Sequence, residues 1–157
     1  MEQEFHYAPF VVEAGKIREF ALAIGLRNPV YFNKEAAVDA GYRDIPAPPT
    51  YTTVIDFWNE RDFYQLFAVW GLDPNDILHG EQSFEYEQDI ISGDVISAKA
   101  VLTDRFDKKD KRFYLIETTY RNQDHEVVCI GRATLIERRE QHGAEIAGHR
   151  KTSTRAD

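Results

Sequence analysis

Few side chains in this sequence stand where they could do chemistry. Of the five histidines, His6, His79, His125, His142 and His149, none lies at i, i+4 from a second ligand, the spacing that sets two donors on one helical face, so no metal centre is expected. Cys129 lies between Val128 and Ile130 in an apolar run with nothing adjacent to lower its pKa, and it reads as an inert buried thiol. A P-loop and a dinucleotide-binding glycine motif are both absent, no cofactor is implied, and Ser92-Gly93-Asp94 is a turn without the context of a nucleophile elbow. His79 adjoins Gly80 at the mouth of a strand, where an imidazole can face a cleft and move a proton. The competing reading of His79 is a partly exposed residue at a strand end.

The elements that must position these groups follow from apolar spacing. Phe5 to Val12, rich in aromatic and β-branched residues, predicts a short strand. Ile17, Phe20, Ala21 and Ile24 form the stripe of an amphipathic helix that Gly25 ends. Asn28-Pro29 is a turn signal, and Asn33 caps a second short helix over Lys34 to Ala40, stopped by Gly41. After the proline-rich stretch Ile45 to Thr50, the stripe Tyr51/Val54/Ile55/Trp58 predicts a buried central helix, and Phe63/Leu66/Phe67/Trp70 repeats it. The aromatic cluster of Phe57, Trp58, Phe63, Tyr64, Phe67 and Trp70 is read as core, with an apolar ligand channel as its alternative. From Leu78 on the period shortens to about two, the spacing of strands. Four strands are expected, joined by tight hairpins at Ser92-Gly93-Asp94, Asp107 to Lys111 and Asn122 to His125. Residues 1–139 therefore form a single α+β domain, an antiparallel sheet wrapped round the apolar helix, and residues 140–157 a disordered tail.

Composition narrows the function. Nineteen basic against 27 acidic residues leave a net charge of −8, the wrong sign for a protein that binds a phosphate backbone, so no nucleic-acid partner is expected. No run approaches the roughly 18 apolar residues of a membrane span. Met1-Glu2-Gln3-Glu4 is acidic where a signal peptide is basic, and a cytoplasmic protein is expected.

Four blocks carry more information than any single residue. They are Phe20 to Asn33 with Ala36-Ala37; Gly41-Tyr42 through Ala47-Pro48-Pro49-Thr50; Leu78 to Tyr86; and Gly93-Asp94. In this order they resemble the MaoC-like dehydratase N-terminal domain, the fatty-acid-synthase-I-type dehydratase domain of the (R)-specific enoyl-CoA hydratase superfamily. The chain is similar over about residues 5 to 138 to the non-catalytic subunits of 3-hydroxyacyl dehydratases. The resemblance implies a hot-dog fold, an antiparallel sheet of five or six strands round a long helix. It also implies pairing into a double hot dog, and a place in fatty-acid metabolism.

In the family signature an Asp follows the glycine and a His follows Asn-Pro and an apolar residue; together they hold the water and move protons at Cα and Cβ. Here Gly25, Asn28, Pro29 and Val30 match, but the Asp position is Leu26 and the His position is Tyr31. Leucine transfers no proton, and an ordinary tyrosine has a pKa near 10. The resemblance further implies that backbone amides near the start of the hot-dog helix hold the thioester carbonyl. Pro48 and Pro49 have no N–H, so Thr50, Tyr51 or Gly80 would supply it.

Three functions are consistent with this reading. The first is an acyl-thioester-binding subunit that lacks the Asp/His pair and joins a catalytic hot-dog partner acting on acyl-CoA or acyl-carrier-protein thioesters. The second is a self-sufficient homo-oligomeric hydratase or thioesterase using other residues: His79, with Tyr31 and Asn28 as orienters, or Glu81. The third is a non-enzymatic acyl-ligand protein. Either a homodimer or a hetero-oligomer is expected, because association covers the open edges of a curled sheet.

Overall fold

A computed structural model describes residues 3–138, and the expected tail lies outside them. The chain runs β1 (Glu4–His6), β2 (Phe10–Val11), α1 (Ala14–Ala23), a 3₁₀ turn (Pro29–Tyr31), α2 (Lys34–Asp39), α3 (Thr52–Phe57), α4 (Phe63–Trp70) and a second 3₁₀ turn (Pro74–Asp76). Four long strands follow, β3 (Ile77–Tyr86), β4 (Val95–Lys108), β5 (Lys111–Arg121) and β6 (Val127–Arg138). The expected first strand is thus two short strands, both antiparallel to β4 and interrupted at Tyr7-Ala8-Pro9, where proline has no N–H to pair.

The strands form one antiparallel sheet in the order β1-β4-β5-β6-β3, with β2 beside β4. The hairpin turns at 107–111 and 122–125 lie where the sequence puts them, with Lys109 and His125 at positive φ. Ser92-Gly93-Asp94 departs from expectation. It joins no hairpin, because β3 pairs with β6 and the chain crosses the sheet to begin β4.

Asp94 is fully buried there, and its carboxylate accepts bonds from the Ile91 N–H at 2.8 Å and from the Arg43 guanidinium. Around this node the Gly93 N–H donates to Val12 O, the Val12 N–H to Asp94 O, and the Ser92 N–H to Ile45 O. One carboxylate therefore gathers the N-terminal segment, the 43–47 loop and the start of β4.

Helices α3 and α4 cover one sheet face. Tyr51, Ile55, Leu66, Phe67 and Trp70 join Ile96, Ala98, Ala100, Ile116, Tyr120 and Leu135 in a single core. The helical layer is broken in two, one helix for each of the two apolar stripes. Tyr51 and Ile55 are buried and Val54 half-buried, but Trp58 is 73% exposed. Trp58 is the residue after the last helical turn (φ −110°, ψ 36°), which swings it off the i+7 line, and the Lys16 ammonium sits 5.1 Å over its ring. Asp62 restarts the helix, its carboxylate accepting from the Gln65 N–H. Ile24 leaves its predicted stripe for the same reason: it follows the last residue of α1 and is half exposed. The aromatic cluster divides as well, with Phe63, Phe67 and Trp70 buried and Phe57, Trp58 and Tyr64 exposed.

Leu66→Ala is expected to cost about 2–5 kcal/mol as a core cavity. Trp58→Ala, which loses mainly a surface cation–π contact, should stay within about 1 kcal/mol. Denaturant unfolding of both variants checks this ordering.

Candidate functional site

The family-like blocks converge on one cleft of about 260 Å³, walled by Tyr31, Tyr42, Tyr51, Thr52, Tyr86, Asp89, Ile90 and the segment Pro46–Pro49. Two helix ends of the same design deliver its first wall. Gly25 takes φ +77° after α1; its N–H donates to Leu22 O and that of Leu26 to Ala21 O, a Schellman cap. Leu26 thereby occupies the position just past the cap glycine, where an apolar residue commonly packs back on the helix; that role explains a leucine here without any chemistry. Gly41 repeats the device at φ +95°: its N–H reaches Val38 O, that of Tyr42 reaches Ala37 O, and Tyr42 turns into the cleft wall.

Between the two caps, Asn28 accepts the Val30 N–H at 3.2 Å and starts the 3₁₀ turn that ends on Tyr31. Asn28 thus has a structural task and sets Tyr31 from the backbone. Tyr31 is half-buried, and burial first, then the neighbouring Tyr42 and Asp89, raises its hydroxyl pKa above the ordinary tyrosine value. It stays a neutral phenol at physiological pH, able to donate a hydrogen bond and unable to serve as a base.

The second wall is the bend into α3. Thr50 is held at φ +72°, a left-handed conformation that a β-branched residue adopts only under constraint. Its N–H donates to the Tyr86 hydroxyl at 3.0 Å, and that of Tyr51 to Pro48 O. Two of the three amides suggested for a thioester carbonyl, those of Thr50 and Tyr51, are therefore engaged within the protein. The hydroxyls of Tyr51 and Thr52 are buried without a hydrogen-bond partner, and unpaired buried polar atoms cost stability.

His79 and Gly80 lie elsewhere. Both are on β3, with His79 seven residues before Tyr86, roughly 20 Å along the strand. His79 stacks on Phe63 at 5.5 Å, and burial lowers its pKa. Gly80 is the extra residue of a β-bulge; a Cβ there would meet Ile136 Cδ1 at 2.7 Å and the Thr134 carbonyl oxygen at 3.2 Å. The structure therefore brings Tyr31, Thr50 and Tyr51 together round one cleft, with Asn28 behind Tyr31, and leaves His79, Gly80 and Glu81 on the edge strand.

A polar cluster that sequence reasoning missed lies where α3 meets the sheet. Tyr120 donates its hydroxyl to the Asp56 carboxylate, 2.8 and 2.9 Å from its two oxygens. Burial pushes Asp56 up to about 7, against the pull of that hydrogen bond, and also raises the hydroxyl of Tyr7. Burial likewise pushes the Cys129 thiol up to about 11, which agrees with an inert thiol. The signal in the sequence was weak, since Asp56 lies off the apolar stripe, with Thr52, Thr53, Asn59 and Glu60 at helical spacing from it. Among the described residues no cluster of ligands could hold a metal, and no helix is long and apolar enough to cross a membrane.

A curved antiparallel sheet with its helices on one face and a cleft at the helix start defines the hot-dog dehydratase class of fold. The family model of the FAS1-like dehydratase domain region matches residues 1–130, and the chain belongs to that family. It is 38% identical over 98 residues to a UPF0336 protein of Clavibacter michiganensis, a match covering 61% of this chain and 64% of that one. The matched stretch thus spans just under two thirds of that relative. With a UPF0336 protein of Saccharopolyspora erythraea it shares 32% identity over 123 residues, 78% of both chains. Among solved structures it superposes on the C-terminally truncated HadBC (3R-hydroxyacyl-ACP dehydratase) complex of Mycobacterium tuberculosis. That match has a TM-score of 0.75 and 26% identity and covers 86% of this chain and 95% of the other.

Two outcomes follow. Thr50→Gly relieves the left-handed strain and is expected to be neutral or to stabilise by about 1 kcal/mol in a thermal melt, although glycine usually destabilises. Because the Asp56 pKa is higher folded than unfolded, the native state holds the extra proton between about pH 4 and pH 7, and this group's contribution to stability falls as pH rises through that window. Asp56→Asn should therefore gain melting temperature relative to wild type between about pH 5 and pH 8; an unchanged difference would show Asp56 titrating normally.

Proposed function

We propose that this chain is an acyl-thioester-binding subunit of an (R)-specific enoyl-thioester hydratase or 3-hydroxyacyl dehydratase, paired with a catalytic hot-dog subunit. The observation that carries the reading is the state of the two proton-transfer positions. Leu26 serves a helix cap, and Tyr31 faces the cleft as a phenol that burial keeps protonated. What remains suits binding: proline and aromatic walls that fit an acyl chain, and a few hydroxyls at one end. The similarity to the HadBC complex supports pairing with a second subunit. Water addition and proton transfer then belong to the partner, while this chain shapes the tunnel. The thioester is carried by coenzyme A or an acyl carrier protein, and the setting is cytoplasmic fatty-acid metabolism. The alternative of a self-sufficient hydratase or thioesterase would use His79 or Glu81, and their place on the edge strand β3, away from the cleft walls, gives it no support.

The test is turnover by the purified chain. Wild type should bind enoyl-CoA by calorimetry and convert none of it. Leu26→Asp with Tyr31→His restores the family pair, and since general acid–base groups typically contribute about 10²–10⁴-fold, it should give measurable hydration; either single change should do far less. A folded double variant that binds enoyl-CoA without turnover would count against a hydratase-type cleft. Wild-type activity abolished by His79→Ala would overturn the subunit reading.

A further inference from the structure

The long open edge of the sheet is β3. Its other side pairs with β6, and eight of its ten residues are exposed. Leu78 and Tyr86, near its two ends, are 48% and 45% exposed. A long edge with free N–H and C=O groups and exposed apolar side chains requires a cover.

The residues pointing away from the helices decide what can supply it. Gln82 and Phe84 pair with Ala133 and Gly131 on the helix-covered face, so Glu81, Ser83 and Glu85 point outward opposite Thr134, Arg132 and Ile130. Glu87 follows directly after the strand. Only Glu85 is compensated: Arg132 holds it at 2.9 Å, but shares itself with Glu117 at 3.0 Å. Glu81 and Glu87 make none of the ion pairs among the described residues.

Two copies of β3 paired antiparallel about a two-fold axis would set these charges against themselves. Registers centred on residues 81, 83 and 85 oppose Glu81 to Glu81, Glu81 to Glu85, and Glu85 to Glu85; one centred on 84 opposes Glu81 to Glu87. Of the registers centred on residues 81 to 85, only that centred on 82 avoids an acidic pair. Like charges directly opposite across strands are destabilising.

We infer that the β3 edge selects against a second copy of this chain and accepts the edge strand of a different hot-dog subunit, one carrying Lys or Arg at alternate outward positions. The inference rests on the paired-subunit reading and adds the chemistry of the partner's edge. It is read by association and not by turnover, so the two fail separately.

The probe is a charge-reversed copy of the full chain, Glu81→Lys/Glu85→Lys, its fold verified by circular dichroism. In sedimentation at about 0.01 M salt, wild type and variant should each self-associate weakly. Their equimolar mixture should form a 1:1 dimer at least roughly 10-fold tighter, and the gap should close to within a few-fold at about 0.5 M salt. The neutral variant Glu81→Gln/Glu85→Gln, which does not depend on a lysine being tolerated beside Arg132, should self-associate more tightly than wild type. A wild-type chain that dimerises tightly alone at low salt, with the amides of residues 77–86 protected from hydrogen exchange, would overturn the inference. So would a mixture no tighter than its components.

Discussion

The arrangement of the cleft depends on one buried carboxylate. Asp94 closes its own turn through the Ile91 N–H, takes the Arg43 guanidinium from a distant loop, and accepts the Val12 N–H at its backbone carbonyl while Val12 O accepts the Gly93 N–H. A carboxylate withdrawn from water must be matched by donors with good geometry or it is strongly destabilising, so these segments are fixed relative to one another. Ile45, Pro46 and Ala47 are held beside Ile90 and Ser92 by the same node, and they form one side of the cleft. The Gly93-Asp94 pair has no chemistry to perform; it holds the walls apart at the right distance.

Much of this was legible in the sequence wherever a local rule decides the conformation. Asn33 caps α2 by accepting the Ala36 N–H, Gly25 and Gly41 end their helices in the left-handed region, and the strands from Leu78 on follow the period-two alternation. Asn28-Pro29 turns the chain as its residues suggest, with Asn28 starting the 3₁₀ turn that ends on Tyr31. What the sequence did not reveal are features set by tertiary geometry. The turn at Ser92-Gly93-Asp94 looks like a hairpin, yet β3 pairs with β6 because neighbours in sequence need not be neighbours in a sheet. Trp58 satisfies a helical stripe that the backbone leaves one residue too soon. The Asp56–Tyr120 contact joins positions 64 residues apart, and no local pattern records it.

The division of labour in the cleft follows from what each residue type can be asked to do. A helix-cap leucine and a neutral phenol can shape and donate but cannot cycle a proton, whereas proline and aromatic walls present apolar surface at little conformational cost. The hydroxyls of Tyr51 and Thr52, like the indole N–H of Trp70 in the core, are buried without a hydrogen-bond partner, at a cost in stability.

The bulge at Gly80 governs which way one end of β3 looks. Between Glu81, opposite Thr134, and His79, opposite Leu135, β3 advances two residues while β6 advances one. Side-chain alternation is thereby reset: His79 turns inward to stack on Phe63, and Leu78 turns outward opposite Ile136. Were residue 80 instead paired regularly with Leu135, His79 would fall opposite Ile136 and the two faces would exchange, burying the leucine and presenting the imidazole to solvent. A homologous chain lacking this one residue would therefore lose the bulge yet keep the same faces at the strand end, and an alignment that placed its gap elsewhere in β3 would assign the intervening side chains to the wrong face.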